Sequence, residues 1–273
     1  MTRFSLTYIG LFLLLLSVLS FFNIIYSYYF NLYLNIDAYI YTLIISLFLG
    51  STFLIKKKIY GKISIYIKIL TVIVGYLILP LIISIPYYLS IYNISFLNCF
   101  FESVSGFTST GFTIFENIKH IDESLILWRS SSQWIGGIYF LFSIILLIDI
   151  FDDNLKKSLT NFISFNSTEV FKQSLKILLL YSALTLFLFI VLKLINIRTF
   201  DSFNLSMTII SSGGFLPFNN IDLIINTDLK KIVFSILMLF SFFSLFLTYN
   251  FFYLRKKNLN FFAEDIYLFM YLT

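Results

Sequence analysis

The 273-residue chain is 59% hydrophobic and 12% charged, against about 25% charged in an average soluble domain. With 35 Phe and 19 Tyr, one Cys and one His, it excludes a water-soluble globule, a disulfide framework, a thiolate cluster and a His-rich metal site. The net charge of +5 sits in short clusters between apolar runs, namely Lys56-Lys57-Lys58 with Lys62, Lys156-Lys157 with Lys172 and Lys176, and Arg255-Lys256-Lys257. No basic residues interleave with aromatics on a polar segment, as a nucleic-acid surface would need.

Charge-free stretches place the spans in chain order: Phe4 to Ile36, Ala38 to Ile55, Ile69 to Phe101, Ser130 to Ile148, Ile177 to Leu192 and Ile232 to Leu254. About 20 residues cross the hydrocarbon as a helix, so six spans are expected. The third is broken by Pro80 and Pro86 and should be helical only to about Ser90. Placing Arg3 inside gathers 13 of the 19 basic residues on one face, so both termini are expected in the cytoplasm. Arg3 and the following Ile9 to Leu19 resemble a signal peptide, but Ser20-Phe21-Phe22-Asn23 is a poor cleavage site. Asp149, Asp152 and Asp153 with Lys156 and Lys157 read as a solvated cytoplasmic turn, His120 as an exposed loop residue, and Cys99 as a small packing residue.

Two further segments are apolar but too short to cross. They run from Phe96 to Phe112 and from Phe200 to Phe215, each an apolar half-helix of about ten residues ending in a hydroxyl- and Gly-bearing stretch. Irregular backbone at membrane depth is tolerated only where it lines a wet cavity or is buried in protein, so both read as re-entrant pore loops. A shift of 103 residues lays Ser109 to Ile118 on Ser212 to Ile221 with six of ten positions identical, Gly111 on Gly214 among them. The repeating unit is helix, pore loop, helix. The expected divisions are residues 1–63 (two leading helices), 64–151 (first repeat), 152–257 (second repeat) and 258–273 (the start of a third).

A dehydrated cation needs several oxygen ligands at once, and consecutive backbone carbonyls supply them without burying a charge. Glycine permits the dihedrals that turn carbonyls toward an axis. The candidate filter is Thr108, Ser109, Thr110, Gly111 and Phe112 with Ser212, Gly213, Gly214 and Phe215, the ion being held at Thr110, Gly111, Gly213 and Gly214. A half-helix entering from outside points its partially negative C-terminal end at mid-membrane, which favours a cation. Glu102 is either functional or paired with Arg129 or Lys230. Arg129 either snorkels or holds a filter loop through its carbonyls. No clustered acid, base or metal ligands suggest an enzyme.

At these residues the sequence resembles the Trk/Ktr/HKT superfamily of potassium and sodium translocating subunits, closest to the TrkH type. Phe101 to Thr113 follows F-E-x-x-S-G-x-T-T-T-G-A-T except at Ser109 and Phe112. Trp128 to Gly137 follows W/Y-R-x-x-x-Q-W-x-G-G, and the G-G-F-S end of the second loop is similar to the end of Thr208 to Leu216, with Leu216 in place of Ser. The resemblance implies an all-α integral membrane protein of a bacterial plasma membrane, no cofactor, K⁺ as the transported ion, and a TrkA-like cytoplasmic nucleotide-binding partner. It favours K⁺ over Na⁺ because Gly111 stands where sodium-transporting relatives carry Ser. The family builds its pore from four such repeats and this chain contains two, with Phe261 to Leu268 resembling the lead-in to a third. The expectation is a truncated or split form completed by a second half or a second copy of the chain. The alternative is a non-transporting membrane remnant or scaffold.

Overall fold

A computed structural model describes residues 3–54, 64–147 and 167–253. Among these the chain is helical without strands. Six long helices appear: α1 (Arg3–Tyr29), α2 (Ile36–Leu54), α3 (Ile65–Ser90), α5 (Glu123–Leu147), α6 (Ser167–Leu194) and α8 (Asp228–Tyr253). Two short ones, α4 (Phe96–Phe107) and α7 (Thr199–Ile210), are 12 residues each. The basic clusters at 56–58 with 62, 156–157 and 255–257, the acidic turn at 149–153 and the segment 261–268 lie outside the described residues, as do the side chains of Lys172 and Lys176.

Among the described residues, four segments are long and apolar enough to cross a membrane: Leu6–Tyr29, Tyr33–Leu54, Ile65–Ser90 and Ile177–Leu194. Helix α5 is equally long, about 37 Å at 1.5 Å per residue, but carries Arg129, Ser130, Ser131, Ser132 and Gln133 in its middle, all at most 5% exposed. It can be polar there because protein surrounds it: α1, α3, α4 and α7 all pack against it. Large apolar side chains instead cover the outside, among them Phe22, Phe48, Tyr66, Leu97 and Leu186.

Close helix crossings use small residues, as expected where lipid gives no hydrophobic drive between helices. Gly10 and Gly50 bring α1 and α2 together, a Cβ on either coming within 3.2 Å of the other's carbonyl oxygen. Ser20 Oγ on α1 donates to the Tyr39 carbonyl on α2 at 2.7 Å. Helix α3 passes through both prolines and ends at Ser90 as expected from the sequence. Pro86 has no N–H to give the Ile82 carbonyl, and on the next residue the Ile83 carbonyl accepts from Trp128 Nε1 on α5 at 3.0 Å. Tyr139 fills the notch left by Gly75 and donates to the Val72 carbonyl at 2.9 Å.

The 103-residue shift recurs in the backbone. Phe96–Phe107 falls on Thr199–Ile210 end to end, and the 3₁₀ turn Ile118–His120 falls on Ile221–Leu223. Left-handed Asn93 (φ 63°) corresponds to Asn196 (φ 60°), and Ser109 to Ser212 (both φ 54°).

Candidate functional site

Each short helix ends in the same device. Past α4, Ser109 N–H donates to the Gly106 carbonyl (3.0 Å) and Thr110 N–H to the Ser105 carbonyl (2.9 Å); past α7, Ser212 N–H donates to Ile209 (3.0 Å) and Gly213 N–H to Thr208 (2.8 Å). This is the crossed pair of bonds that closes a helix around a left-handed residue. A serine makes the reversal in both loops, at a cost of about 1–2 kcal/mol. Gly111 is also left-handed (φ 80°), whereas the other two glycines are needed for space. A Cβ on Gly213 would meet the Gln133 amide at 2.5 Å, and one on Gly214 would come within 3.1 Å of Gly111 Cα. From the last turn of each helix a hydroxyl reaches the carbonyl seven residues on: Ser105 Oγ donates to Phe112 O, and Thr208 Oγ1 to Phe215 O at 3.1 Å. Each strand is thereby folded back along its own helix.

The structure brings the two candidate strands together at Gly111 and Gly214, close enough that a Cβ on Gly111 would stand 2.5 Å from Gly214 Cα. Thr108, Thr110, Phe112, Ser212 and Gly214 are exposed at the surface of the chain. Thr108 Oγ1 bonds to Thr110 Oγ1 (2.7 Å) and donates to the Val104 carbonyl (2.8 Å). The equivalent phenylalanines part ways: Phe112 is 70% exposed and Phe215 2%, its ring 4.3 Å below the Arg129 guanidinium. Phe215 thus faces the protein interior and lies off the exposed strand surface.

Behind the strands lies a buried ion pair. Glu102 on α4 and Arg129 on α5 are 0% and 1% exposed, with Nε to Oε1 at 2.9 Å. Glu102 also accepts from Thr113 Oγ1 and from the Ile114 N–H, both at 3.0 Å. Arg129 donates to Thr113 Oγ1 (3.0 Å) and to the Leu216 carbonyl (3.4 Å). The guanidinium, a rigid fork of donors, thus touches both loops. Lys230, the other partner that the sequence allows, instead donates to Asn226 Oδ1.

Gln133, which the sequence offers only within the motif from Trp128 to Gly137 and not among the candidate site residues, belongs to the site. Oriented so that both ends of its amide are satisfied, its Oε1 accepts from the N–H groups of Gly214 (3.0 Å) and Phe215 (3.1 Å), and its Nε2 donates to Thr208 Oγ1 (3.1 Å). One helix turn further, a Cβ on Gly136 would stand 2.0 Å from the Phe107 carbonyl oxygen, and one on Gly137 would meet Ser211 and Tyr181. The signal is present in the spacing: positions 129, 133, 136 and 137 share one helical face, so R-x-x-x-Q-x-x-G-G describes a single rail against which both half-helices and both loops seat.

Beyond the strands, Asn117 and Asn219 join the two loops side chain to side chain at 3.1 Å. Glu116, Asn117, His120, Asp122 and Glu123 line a cavity of about 660 Å³ there. Arg198 pairs with Glu123 at 2.6 Å, which holds the guanidinium further above its ordinary value; burial raises the Asp201 carboxyl. His120 is exposed, Cys99 is buried and unpaired, and no group of three His, Cys, Asp or Glu gathers among the described residues.

No family model matches the chain. It is 28% identical over 219 residues to an uncharacterized cation transporter of Methanocaldococcus jannaschii, covering 76% of this chain and 44% of that protein. Over 60 residues, 22% of this chain and 11% of the other, it is 43% identical to the Trk system potassium uptake protein TrkI of Halomonas elongata. Its fold superposes on the crystal structure of the potassium transporter TrkH from Vibrio parahaemolyticus with a TM-score of 0.62 at 21% identity, covering 85% of this chain and 48% of that one. The chain therefore spans about half the length of these two longer matches. The likeness to the Trk/Ktr/HKT superfamily read from the loop motifs is borne out, and the chain has the all-helical membrane fold of TrkH.

Proposed function

We propose that this chain is a membrane subunit for uptake of potassium, or of monovalent cations more broadly, through a pore lined by its two re-entrant loops. One observation carries the reading: two half-helices of equal length end in the same serine reversal and set Gly111 against Gly214, backbone to backbone. The transporters named among its relatives support it. In this reading Thr108 to Phe112 and Ser212 to Phe215 are filter strands, K⁺ is bound at Thr110, Gly111, Gly213 and Gly214, and Glu102 with Arg129 supports them. Residues 1–63 form the leading helices, 64–151 and 152–257 the two repeats, and 258–273 begins a third. The protein is multi-pass in the plasma membrane with both termini cytoplasmic, facing a TrkA-like regulatory subunit.

A cation leaving water needs replacement oxygens on all sides, and unpaired polar backbone facing lipid costs several kcal/mol per group. The exposure of Thr108, Thr110, Ser212 and Gly214 supports a ring completed by two further strands, from a second half or a second copy of this chain. In cells without their own K⁺ uptake, the 273 residues alone should give no growth at low K⁺, and growth should appear when two further repeats are co-expressed. Selective uptake by the strictly monomeric 273-residue chain would contradict the requirement for completion. No uptake in any combination would contradict transport and leave a membrane scaffold.

A further inference from the structure

We infer that Gln133 is the positioning residue that sets the conformation of the second loop, and through it the ion preference of the pore; the latter part rests on the transport reading above. The two loops obey the same 103-residue correspondence up to one point. In the first, the Ser105 carbonyl accepts from both Thr110 N–H (2.9 Å) and Gly111 N–H (3.4 Å), and Gly111 is driven to φ 80°. In the second, the corresponding Thr208 carbonyl accepts from Gly213 N–H. The N–H of Gly214 goes instead to Gln133 Oε1 at 3.0 Å, together with that of Phe215 at 3.1 Å, and Gly214 is not left-handed. The difference between the two strands is therefore made by one side chain from α5.

Gln133 is suited to hold that position. It is 0% exposed, and its Nε2 is anchored to Thr208 Oγ1 at 3.1 Å. That hydroxyl in turn donates to the Phe215 carbonyl at 3.1 Å. The amide fills the space beside Gly213, where a Cβ would meet it at 2.5 Å. A chain of bonds thus runs from α5 to the N–H groups of Gly214 and Phe215, and back through the carbonyl of Phe215 to the half-helix. Rotation of a peptide plane in this strand, which would redirect a carbonyl, breaks at least one of these bonds.

The test is amide hydrogen exchange of the purified chain in lipid nanodiscs, compared with Q133L and Q133E. Losing the one oxygen that accepts from both N–H groups should raise exchange at Gly214 and Phe215 in Q133L by about tenfold, the scale of one net hydrogen bond. Exchange at Gly111 to Thr113 and in α1 and α2 should be unchanged. Q133E keeps an acceptor for both N–H groups and, as the neutral carboxyl that a site with no exposure favours, an O–H donor for Thr208 Oγ1, so it should retain the protection. If Q133L does not fold, Thr208→Val carries the test: it removes the anchor of Nε2, and exchange should rise at the same two amides. Protection unaltered in Q133L, or in Thr208→Val where that stands in, would overturn the inference. Equal loss in Q133L and Q133E would do the same. Where the unaltered chain transports with its completing repeats, Q133L should also lower the ratio of K⁺ to Na⁺ uptake and Q133E should preserve it. Raised exchange with an unchanged ratio would support the positioning and overturn the filter reading on which the ion preference rests.

Discussion

Glu102→Leu is expected to be among the most damaging single changes in the protein, costing about 3–5 kcal/mol because it leaves a buried charge without its partner. The arginine cannot escape by losing its proton, and at 1% exposure it has no route to water. Arg129→Leu should cost less. Glu102 can take up a proton, and it keeps the Thr113 hydroxyl and the Ile114 N–H as neighbours. The double replacement should be more stable than Glu102→Leu alone, since an apolar pair of similar volume replaces a buried ion pair at little cost. Unfolding in detergent, followed for the three variants, gives the order; a double variant no better than Glu102→Leu would mean that the pair's contacts with the loops matter more than its charge balance.

The second large effect is expected at the rail on α5. Gly136→Ala places a Cβ 2.0 Å from the Phe107 carbonyl oxygen, which is backbone and cannot swing aside. The last turn of α4 must then shift, and overpacking of this kind costs about 1–3 kcal/mol. Gly137→Ala should be milder, because its closest contact is a side-chain atom, the Tyr181 hydroxyl at 2.4 Å, and the nearest backbone atom, Ser211 Cα, is 3.1 Å away. Thermal unfolding should rank Gly136→Ala below Gly137→Ala, and K⁺ uptake by the completed assembly should fall in the same order, since Phe107 immediately precedes the first strand.

Much of this arrangement is legible in the order of the residues. Charge-free stretches fall on each of the six long helices, with expected ends that differ by as much as ten residues (Ile177 against Ser167), and the run from Phe96 to Phe112 reads as too short to cross. The 103-residue shift finds the correspondence that the backbone repeats at Asn93 and Asn196 and at both half-helices. What the residue order hides has local physical causes. Glycine is the default left-handed residue, so nothing in the residue order marks Ser109 and Ser212 as the left-handed ends of the half-helices, held there by crossed backbone bonds. The role of Gln133 is hidden because its partners, from Thr208 to Phe215, are 75 to 82 residues away in the chain and its polar neighbours Ser130, Ser131 and Ser132 mask the helical stripe. The choice for Glu102 between Arg129 and Lys230 stays open in the sequence for the same reason, since both are polar groups at the start of a long helix. Helix α5 looks like an ordinary span by its charge-free run, yet its buried polar middle shows that it lies within the protein.

The central claim is that the paired loops select the ion, and the most direct measurement is the ratio of K⁺ to Na⁺ uptake for Gly111→Ser and Gly214→Ser in the completed assembly. At φ 80° a Cβ on Gly111 is strained and stands 2.5 Å from Gly214 Cα, and the added hydroxyl changes the oxygens offered to the ion. The account predicts that both replacements weaken the preference for K⁺. An unchanged ratio in both variants would contradict it.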